Sequence, residues 1–137
     1  MTFLARLVLG MRDALEASPD FPAAVEPSPV RAMTRQDRKT VCVLPGAEAV
    51  DAMPIGMATR ARQIHVVVHT AGDDHLELSE EVFSAVHPVM MSFEMDGLVS
   101  VEEVGTDEPK YANGDLTRQV VTRRYRVVYQ TDEHSLG

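Results

Sequence analysis

The sequence of 137 residues contains a single cysteine, Cys42, and has no run of apolar residues that approaches 18 positions. One cysteine excludes an internal disulfide framework and a multi-cysteine zinc site, and it suits a reducing compartment. A helix needs such a run to cross a bilayer, so we predict no transmembrane helix. The apolar stretch 7–9 follows Arg6, but Asp13 and Glu16 interrupt it. We therefore expect no targeting segment and a cytosolic protein.

Basic residues are scarce. The sequence contains 13 lysines and arginines and 21 aspartates and glutamates, which gives a formal net charge of -8. This balance opposes a free-standing nucleic-acid-binding domain, which normally needs a basic surface. Residues 71–115 contain 12 acids and one base, Lys110, whereas residues 1–70 contain 7 acids and 8 bases and residues 116–137 contain 2 acids and 4 bases. Such asymmetry is typical of a solvated surface, and it also permits self-association between unlike faces.

Sequence motifs for catalysis are missing as well. The chain has no glycine-rich phosphate loop, no nucleophile elbow and no HExxH pattern. Cys42 lies in an apolar segment without a neighbouring base, which favours a small buried hydrophobe over a nucleophile. Glu102 and Glu103 are adjacent on a predicted strand and point to opposite faces, so they are poorly placed for paired acid–base catalysis. We predict no catalytic residue and a protein that is not an enzyme.

The histidines do not indicate a metal site. His65 and His69 would lie about 13 Å apart along a strand, too far to share one ion. The acidic turn 73–75 is typical of solvated loop residues. We therefore predict no metal site and no cofactor.

Length and composition are those of one ordinary globular domain. The chain is 45% apolar and 25% charged, and at this length it buries enough surface to fold without a metal or disulfide. We predict a single domain over residues 1–137, with residues 18–39 and 46–58 as flexible loops and residues 131–137 as a tail.

Hydrophobic periodicity predicts helices and strands in the first half of the chain. Apolar residues at spacings of three and four predict a helix over residues 2–17, capped by Thr2, and Gly10 inside it suggests a close approach of another backbone. The proline-rich stretch 18–39 is loop-like, with a short edge strand at 30–33. Three further strands are predicted, the second as the hairpin partner of the first, over residues 40–44, 47–53 and 59–70.

The second half gives one helix and two strands. Ser79 begins a helix in which Pro88 implies a kink near residues 84–88. Alternation predicts strands over residues 98–104 and 116–130, with the turn dipeptide Asn113-Gly114 before the last one. The element order predicts an α+β fold: a mainly antiparallel sheet with two helices packed on one face.

Four arginines of the last strand form the strongest basic cluster: Arg118, Arg123, Arg124 and Arg126. The first interpretation is a set of solvent-facing guanidinium groups whose stems cover apolar neighbours. The second is an interface with the acidic segment of another copy. Nucleic-acid binding ranks last, because aromatic platforms and net positive charge are lacking.

Several short motifs together resemble the lambda-like phage tail terminators, the minor tail protein U family. In order along the chain, the residues that carry this resemblance are Asp13-Ala14-Leu15-Glu16, Val41-Cys42-Val43-Leu44, Gly46-Ala47-Glu48, Val86-His87-Pro88-Val89-Met90, Leu116-Thr117 and Val127-Val128-Tyr129. The resemblance covers most of the chain in element order. The proline-rich stretch 19–39 departs from the family pattern.

The resemblance implies a non-enzymatic function in phage or prophage assembly. Members of that family form hexameric rings that cap the tail tube, stop its polymerisation and provide the surface that the head joins. The implied partners are further copies of the chain, the tail tube protein and the head–tail connector protein, with no membrane and no sequence-specific nucleic acid. The implied location is the bacterial cytoplasm during assembly and then the virion tail, and the chain can be monomeric before it meets a tube.

Our hypothesis places the subunit or tube interface on five arginines that lie on strands: Arg60, Arg62, Arg123, Arg124 and Arg126. A ring needs heterologous contacts, in which one surface meets a different surface of the next copy. The alternatives are another head–tail joining or minor tail protein, and a small-molecule-binding or regulatory α+β domain.

Overall fold

The computed structural model describes residues 1–28, 38–52, 54–112 and 114–137. They form two helices and six strands, which in chain order are α1 (Phe3–Ala17), β1 (Ala24–Val25), β2 (Lys39–Asp51), β3 (Met57–Ala71), α2 (His75–Met91), β4 (Leu98–Thr106), β5 (Lys110–Ala112) and β6 (Asp115–Asp132). None of the helices in these ranges is long and apolar enough to span a membrane.

The sheet has the order β1-β2-β3-β6-β4, with β5 paired to β6, and every pairing except the parallel β1–β2 contact is antiparallel. Alternate residues of β2, β3 and β6 point to the face that carries both helices, and these side chains form one core with the apolar stripes of α1 and α2. The predicted α+β fold, with two helices on one face of a mainly antiparallel sheet, is confirmed.

Helix α1 begins and ends where its sequence predicts. The Thr2 hydroxyl accepts a hydrogen bond from the amide of Ala5 at 3.2 Å, which satisfies one free donor of the first turn. Gly10 has a different neighbour from the predicted one. A Cβ at this position would lie 3.0 Å from Cζ of Phe93, so a side chain and not another backbone makes the close approach.

Strand β2 corrects the predicted hairpin between residues 40–44 and 47–53. The chain does not turn back at Pro45-Gly46; it continues in the same direction and pairs with β3 on both sides of a bulge between Pro45 and Glu48. The bulge places the backbone of Gly46 against His65, where a Cβ would lie 2.5 Å from Nε2. Residues 46–51 and 57–58, predicted as part of a flexible loop, therefore belong to strands.

Helix α2 begins four residues before the predicted start at Ser79. The carboxylate of Asp74 makes no capping bond to the helix and pairs with Arg38. The first helical residue, His75, is instead fixed by its ring: Nδ1 accepts from the Thr70 hydroxyl at 2.7 Å, and Nε2 donates to the carbonyl of Leu116 at 3.2 Å. Pro88 lies inside the helix, and the kink stays a prediction.

The remaining segments also differ from the sequence interpretation. The edge strand predicted at 30–33 lies outside the described residues, and a short edge strand forms instead at Ala24–Val25. The polar stretch 105–114 contains strand β5. The predicted tail 131–137 begins as the end of β6 and then returns to α1, where the amide of Phe3 donates to the carbonyl of Leu136.

Candidate assembly surface

The five arginines of the predicted interface occupy two regions of the sheet. Arg60 and Arg62 lie at the start of β3, on the same face as the core residues that follow them. The other three lie in the middle of β6, opposite β4 and the segment after it. Arg123 points to the helix side and Arg124 and Arg126 point to the other side, as the alternation predicted.

A single carboxylate holds the first two arginines. Glu48 accepts from Arg60 at 3.0 Å through one oxygen and from Arg62 at 3.1 Å through the other. The Arg60 side chain is only 10% exposed, and its Nε also donates to the hydroxyl of Thr131 at 3.1 Å. This cluster joins β2, β3 and the end of β6. The main role of Arg60 is therefore to link these strands from a buried position.

Arg124 and Arg126 pair with acids on the open face of the sheet. Arg124 donates to Asp107 at 2.8 Å, and Arg126 donates to Glu102 at 2.6 Å. The hydrogen bond from Arg124 is the main reason that the pKa of Asp107 lies below its ordinary value. The two arginine side chains are still 37% and 49% exposed. They are accessible for a further contact.

On the helix side, Arg123 belongs to a partly exposed network that sequence reasoning missed. Its guanidinium group contacts Glu103 and lies 5.9 Å from the ring centre of Tyr125. Glu103 is also 3.6 Å from Nε2 of His87, whose Nδ1 accepts from the Tyr125 hydroxyl at 2.8 Å. A tyrosine, a histidine and a glutamate in sequence are capable of moving protons. Tyr125 is fully buried, whereas His87 and Glu103 are 36% and 47% exposed, and the network fastens α2 to the sheet.

The acidic partners of these arginines come from the same chain. Glu102, Glu103 and Asp107 belong to the acid-rich segment 71–115, which our sequence hypothesis assigned to a neighbouring copy. The β4–β6 register brings them to the basic part of β6. The turn dipeptide Asn113-Gly114 could have predicted this proximity, because a regular hairpin around it would place Glu103 opposite Arg124.

Cys42 is fully buried, and its Sγ donates to the carbonyl of Ser28 at 3.4 Å. Burial raises the pKa of the thiol to about 11, so it stays protonated at neutral pH. A buried, protonated thiol is a poor nucleophile. This placement matches the small buried hydrophobe that the sequence predicts.

The histidines of β3 lie on the face opposite the helices. Burial is the main cause that lowers the pKa of His65, followed by the charge of nearby Arg124, and burial alone lowers the pKa of His69. Both rings are therefore neutral at pH 7. In the part of the chain that the structure describes, no group of three or more His, Cys, Asp or Glu side chains is arranged to hold a metal ion.

Solved structures with a similar fold include a chain of a virion particle. The fold is similar to a chain described as "Virion of native gene transfer agent (GTA) particle", with a TM-score of 0.69, 14% sequence identity, and coverage of 95% of this chain and 100% of that chain. No family model and no curated protein sequence matches. At this identity the likeness shows a shared fold, which extends over nearly the whole length of both chains.

Proposed function

We propose that this protein is a structural component of a phage or phage-like virion, and more specifically a tail terminator. It would form a ring on the end of the tail tube, stop tube polymerisation and present the surface that the head joins. The full-length fold likeness to a virion chain is the observation that carries the coarser proposal. The resemblance of short sequence motifs to the tail terminator family supports the finer one.

The proposed partners are further copies of the chain, the tail tube protein and the head–tail connector. Arg124 and Arg126 are the best placed of the predicted interface residues, because their side chains are more than a third exposed despite their intrachain pairs. Arg60 would act indirectly, since it is buried and holds three strands together. The proposal includes no catalysis, no cofactor and no membrane contact.

Electron microscopy of tubes tests the finer proposal. Tube protein from the same gene cluster is polymerised with and without this protein at equal concentrations. A terminator is expected to give tubes that carry a ring at one end and do not elongate when more tube protein is added. Tubes that continue to elongate with this protein present would refute termination. A tube protein from an unrelated cluster is the control for specific capping.

The same fold likeness favours a second candidate, because the description of the similar chain names a whole virion and no position in it. Another head–tail joining or minor tail protein would satisfy it equally. Deletion of the gene separates the two functions. Loss of a terminator should give tails of abnormal length, whereas loss of a joining protein should give tails of normal length without heads.

A further inference from the structure

Within the described residues, two long strand edges of the sheet have no partner strand. Strand β1 covers only the start of β2, where it pairs with Thr40 and Val41, and no other described strand pairs with that side of β2. At the opposite side of the sheet, β4 pairs with β6 alone. An edge strand presents a row of backbone N–H and C=O groups to which a further strand can bind.

Both edges also carry exposed valines. Val50 on β2 is 56% exposed, and Val99 and Val104 on β4 are 66% and 51% exposed. Valine is a residue that favours strands, and proteins usually keep long edges with such residues away from water. The two edges therefore have the properties of surfaces that another strand covers.

The directions of the strands make the two edges complementary. Neighbours along the path β2-β3-β6-β4 are all antiparallel, so β2 and β4 run in opposite directions at the two sides of the sheet. A second copy placed beside the first in the same orientation brings its β4 antiparallel to the free side of β2. The antiparallel alternation then continues from one chain to the next.

Charge opposes the alternative in which each edge pairs with its own kind. In an antiparallel pair of two β4 strands centred on Glu102, this glutamate would lie opposite its own copy, with Glu103 beside it. In a pair of two β2 strands centred on residues 48–51, Glu48 would lie opposite Asp51. Like charges directly opposite each other destabilise a strand pair. Pairing of β2 with β4 is therefore favoured over both self-pairings.

The register inside one chain shows which residues would meet between two. Continuous rows of the sheet join Val50 to Leu98, Ala49 to Ser100 and Glu48 to Val101 through β3 and β6. Two copies side by side at the same height would join these rows across the boundary. Val50 would then lie beside a leucine that packs against the core of the next copy.

The same register keeps the acids of the two edges apart. The row of Glu102 leads through Arg126 and Gln63 to the bulge of β2, which contains Gly46 and Ala47. No acid of β4 then faces an acid of β2 in the joined rows. The bulges of both strands interrupt a longer ladder, and such interruptions limit indiscriminate edge pairing.

From this arrangement we infer that the β4 edge of one copy pairs antiparallel with the β2 edge of a second copy, so that the sheet continues between chains. The inference rests on the proposed function in one respect: it supplies the head-to-tail contact that a ring requires. Each added copy leaves one free β2 edge and one free β4 edge, which is the property of a heterologous interface.

Cross-linking between two single-cysteine variants tests the contact. Ala49→Cys and Ser100→Cys proteins, made with tags of different mass, are mixed in equal amounts and treated with a short bismaleimide. The reaction is run over a series of protein concentrations, with and without polymerised tube. The yield of mixed dimer should exceed that of either homodimer by about tenfold, because the contact raises the effective concentration of the two thiols.

The matched control pairs Ala49→Cys with Ser84→Cys, since Ser84 is exposed on α2 and Ala49 lies on the opposite side of the sheet. The wild-type protein controls for Cys42, which is fully buried. Equal yields of mixed dimer from the two mixtures under every condition would overturn the inference. A preferred homodimer of Ser100→Cys would overturn it as well, because it would indicate pairing of β4 with β4.

Hydrogen exchange of the wild-type protein tests the contact without a substitution. Amides of residues 44–50 and 99–106 should exchange about tenfold more slowly in the ring on the tube than in dilute protein, because they gain hydrogen bonds between chains. Strand β3, which has a partner strand on both sides, is the internal control. Capped tubes without added protection at either edge refute this contact alone, whereas a preferred cross-link without capping refutes the terminator function alone.

Discussion

At the level of single residues, Glu48 pairs with two arginines through its two carboxylate oxygens. It is 22% exposed and neutralises both Arg60 and Arg62. Removal of one partner from a mostly buried ion pair leaves a desolvated charge without compensation, and this costs much more than the loss of an exposed pair. The same reasoning ranks the five arginines by their effect on stability, with Arg60 first.

We expect Glu48→Gln to lower the free energy of unfolding by about 2 kcal/mol, because the buried guanidinium of Arg60 loses its counter-charge. Glu102→Gln is the matched control, since its pair with Arg126 is half exposed, and it should cost less than about 1 kcal/mol. Urea unfolding monitored by circular dichroism measures both. Equal losses in the two variants would contradict the assigned burial of the Glu48 cluster.

His65 and His69 make stability depend on pH near neutrality. Burial holds the folded-state pKa of both rings below the ordinary value of 6.5, so the unfolded chain binds more protons as the pH falls below 6.5. Their contribution to stability is complete above that pH and decreases as the pH falls toward the folded-state pKa. Asp107, which faces His65, has a lowered pKa and titrates only at more acidic pH.

We therefore expect His69→Gln to reduce the loss of stability between about pH 7.5 and about pH 5.5, a range that spans the ordinary histidine pKa. The readout is the change in urea midpoint between the two pH values, which separates titration from any pH-independent cost of the substitution. His134→Gln, whose ring is 85% exposed, should behave like the wild type. An unchanged pH dependence in the His69 variant would contradict its assigned burial.

At the level of elements, helix α2 is fastened to the sheet at two points by histidines. His75 holds its first turn to β3 and β6, and His87 holds its last third to Tyr125. Burial is the main cause that raises the pKa of Tyr125, so its hydroxyl remains a hydrogen-bond donor at neutral pH. A buried donor that loses its acceptor costs more than the bond itself contributes.

We expect His87→Ala to lower the free energy of unfolding by about 1–2 kcal/mol, because the hydroxyl of Tyr125 then has no acceptor. In the Tyr125→Phe background the same substitution should cost less, with a coupling energy of about 1 kcal/mol. A double-mutant cycle measured by urea unfolding gives this value. Additive effects would mean that the hydrogen bond does not contribute to the docking of α2.

The same elements show how far sequence patterns predict this fold. Helix α1, strand β3 and strand β6 were predicted within a few residues. In each of them, a helical or an alternating pattern of residues continues along most of the element and fits only one kind of secondary structure. The dipeptide Pro45-Gly46 predicts a turn because it is common in turns, but a bulge in a continuous strand also accommodates it. The start of α2 was missed because side-chain contacts of His75 from distant segments, and not a local cap, determine it.

For the arginines of β6, the sequence predicts the side of the sheet but not the acidic partners, and their role in an interface stays a prediction. Alternation placed Arg123 opposite Arg124 and Arg126 correctly. Their acidic partners depended on the register of β6 with β5 and β4, which irregularities between Tyr111 and Ala112 and between Glu103 and Gly105 shift away from a regular hairpin. Such shifts come from packing against the rest of the sheet. Counting opposed residues outward from the Asn113-Gly114 turn therefore identifies the correct acidic segment but not the correct residue pairs.

At the level of the whole molecule, the net charge of -8 is spread over helices, turns and strands, and the two helices carry five acids and two bases of it. Every arginine of the described ranges contacts a carboxylate or a carbonyl of its own chain. The acids Asp13 and Glu16 on α1 and Glu77 and Glu80 on α2 are exposed. This excess of negative charge opposes contact with a phosphate backbone.

Exchanging the charges of Glu102 and Arg126 tests whether Arg126 contributes to assembly or only to the stability of its own sheet. Arg126→Glu removes the pair with Glu102 and should weaken ring formation on the tube. The double variant Glu102→Arg/Arg126→Glu restores an opposite-charge pair within the chain, so its stability should return to within about 1 kcal/mol of the wild type. If the exposed half of Arg126 binds a neighbouring copy or the tube, the swapped protein is folded and still fails to cap tubes in electron microscopy. Wild-type capping by the swapped protein would mean that Arg126 acts only inside its own chain, and it would remove this arginine from the proposed interface.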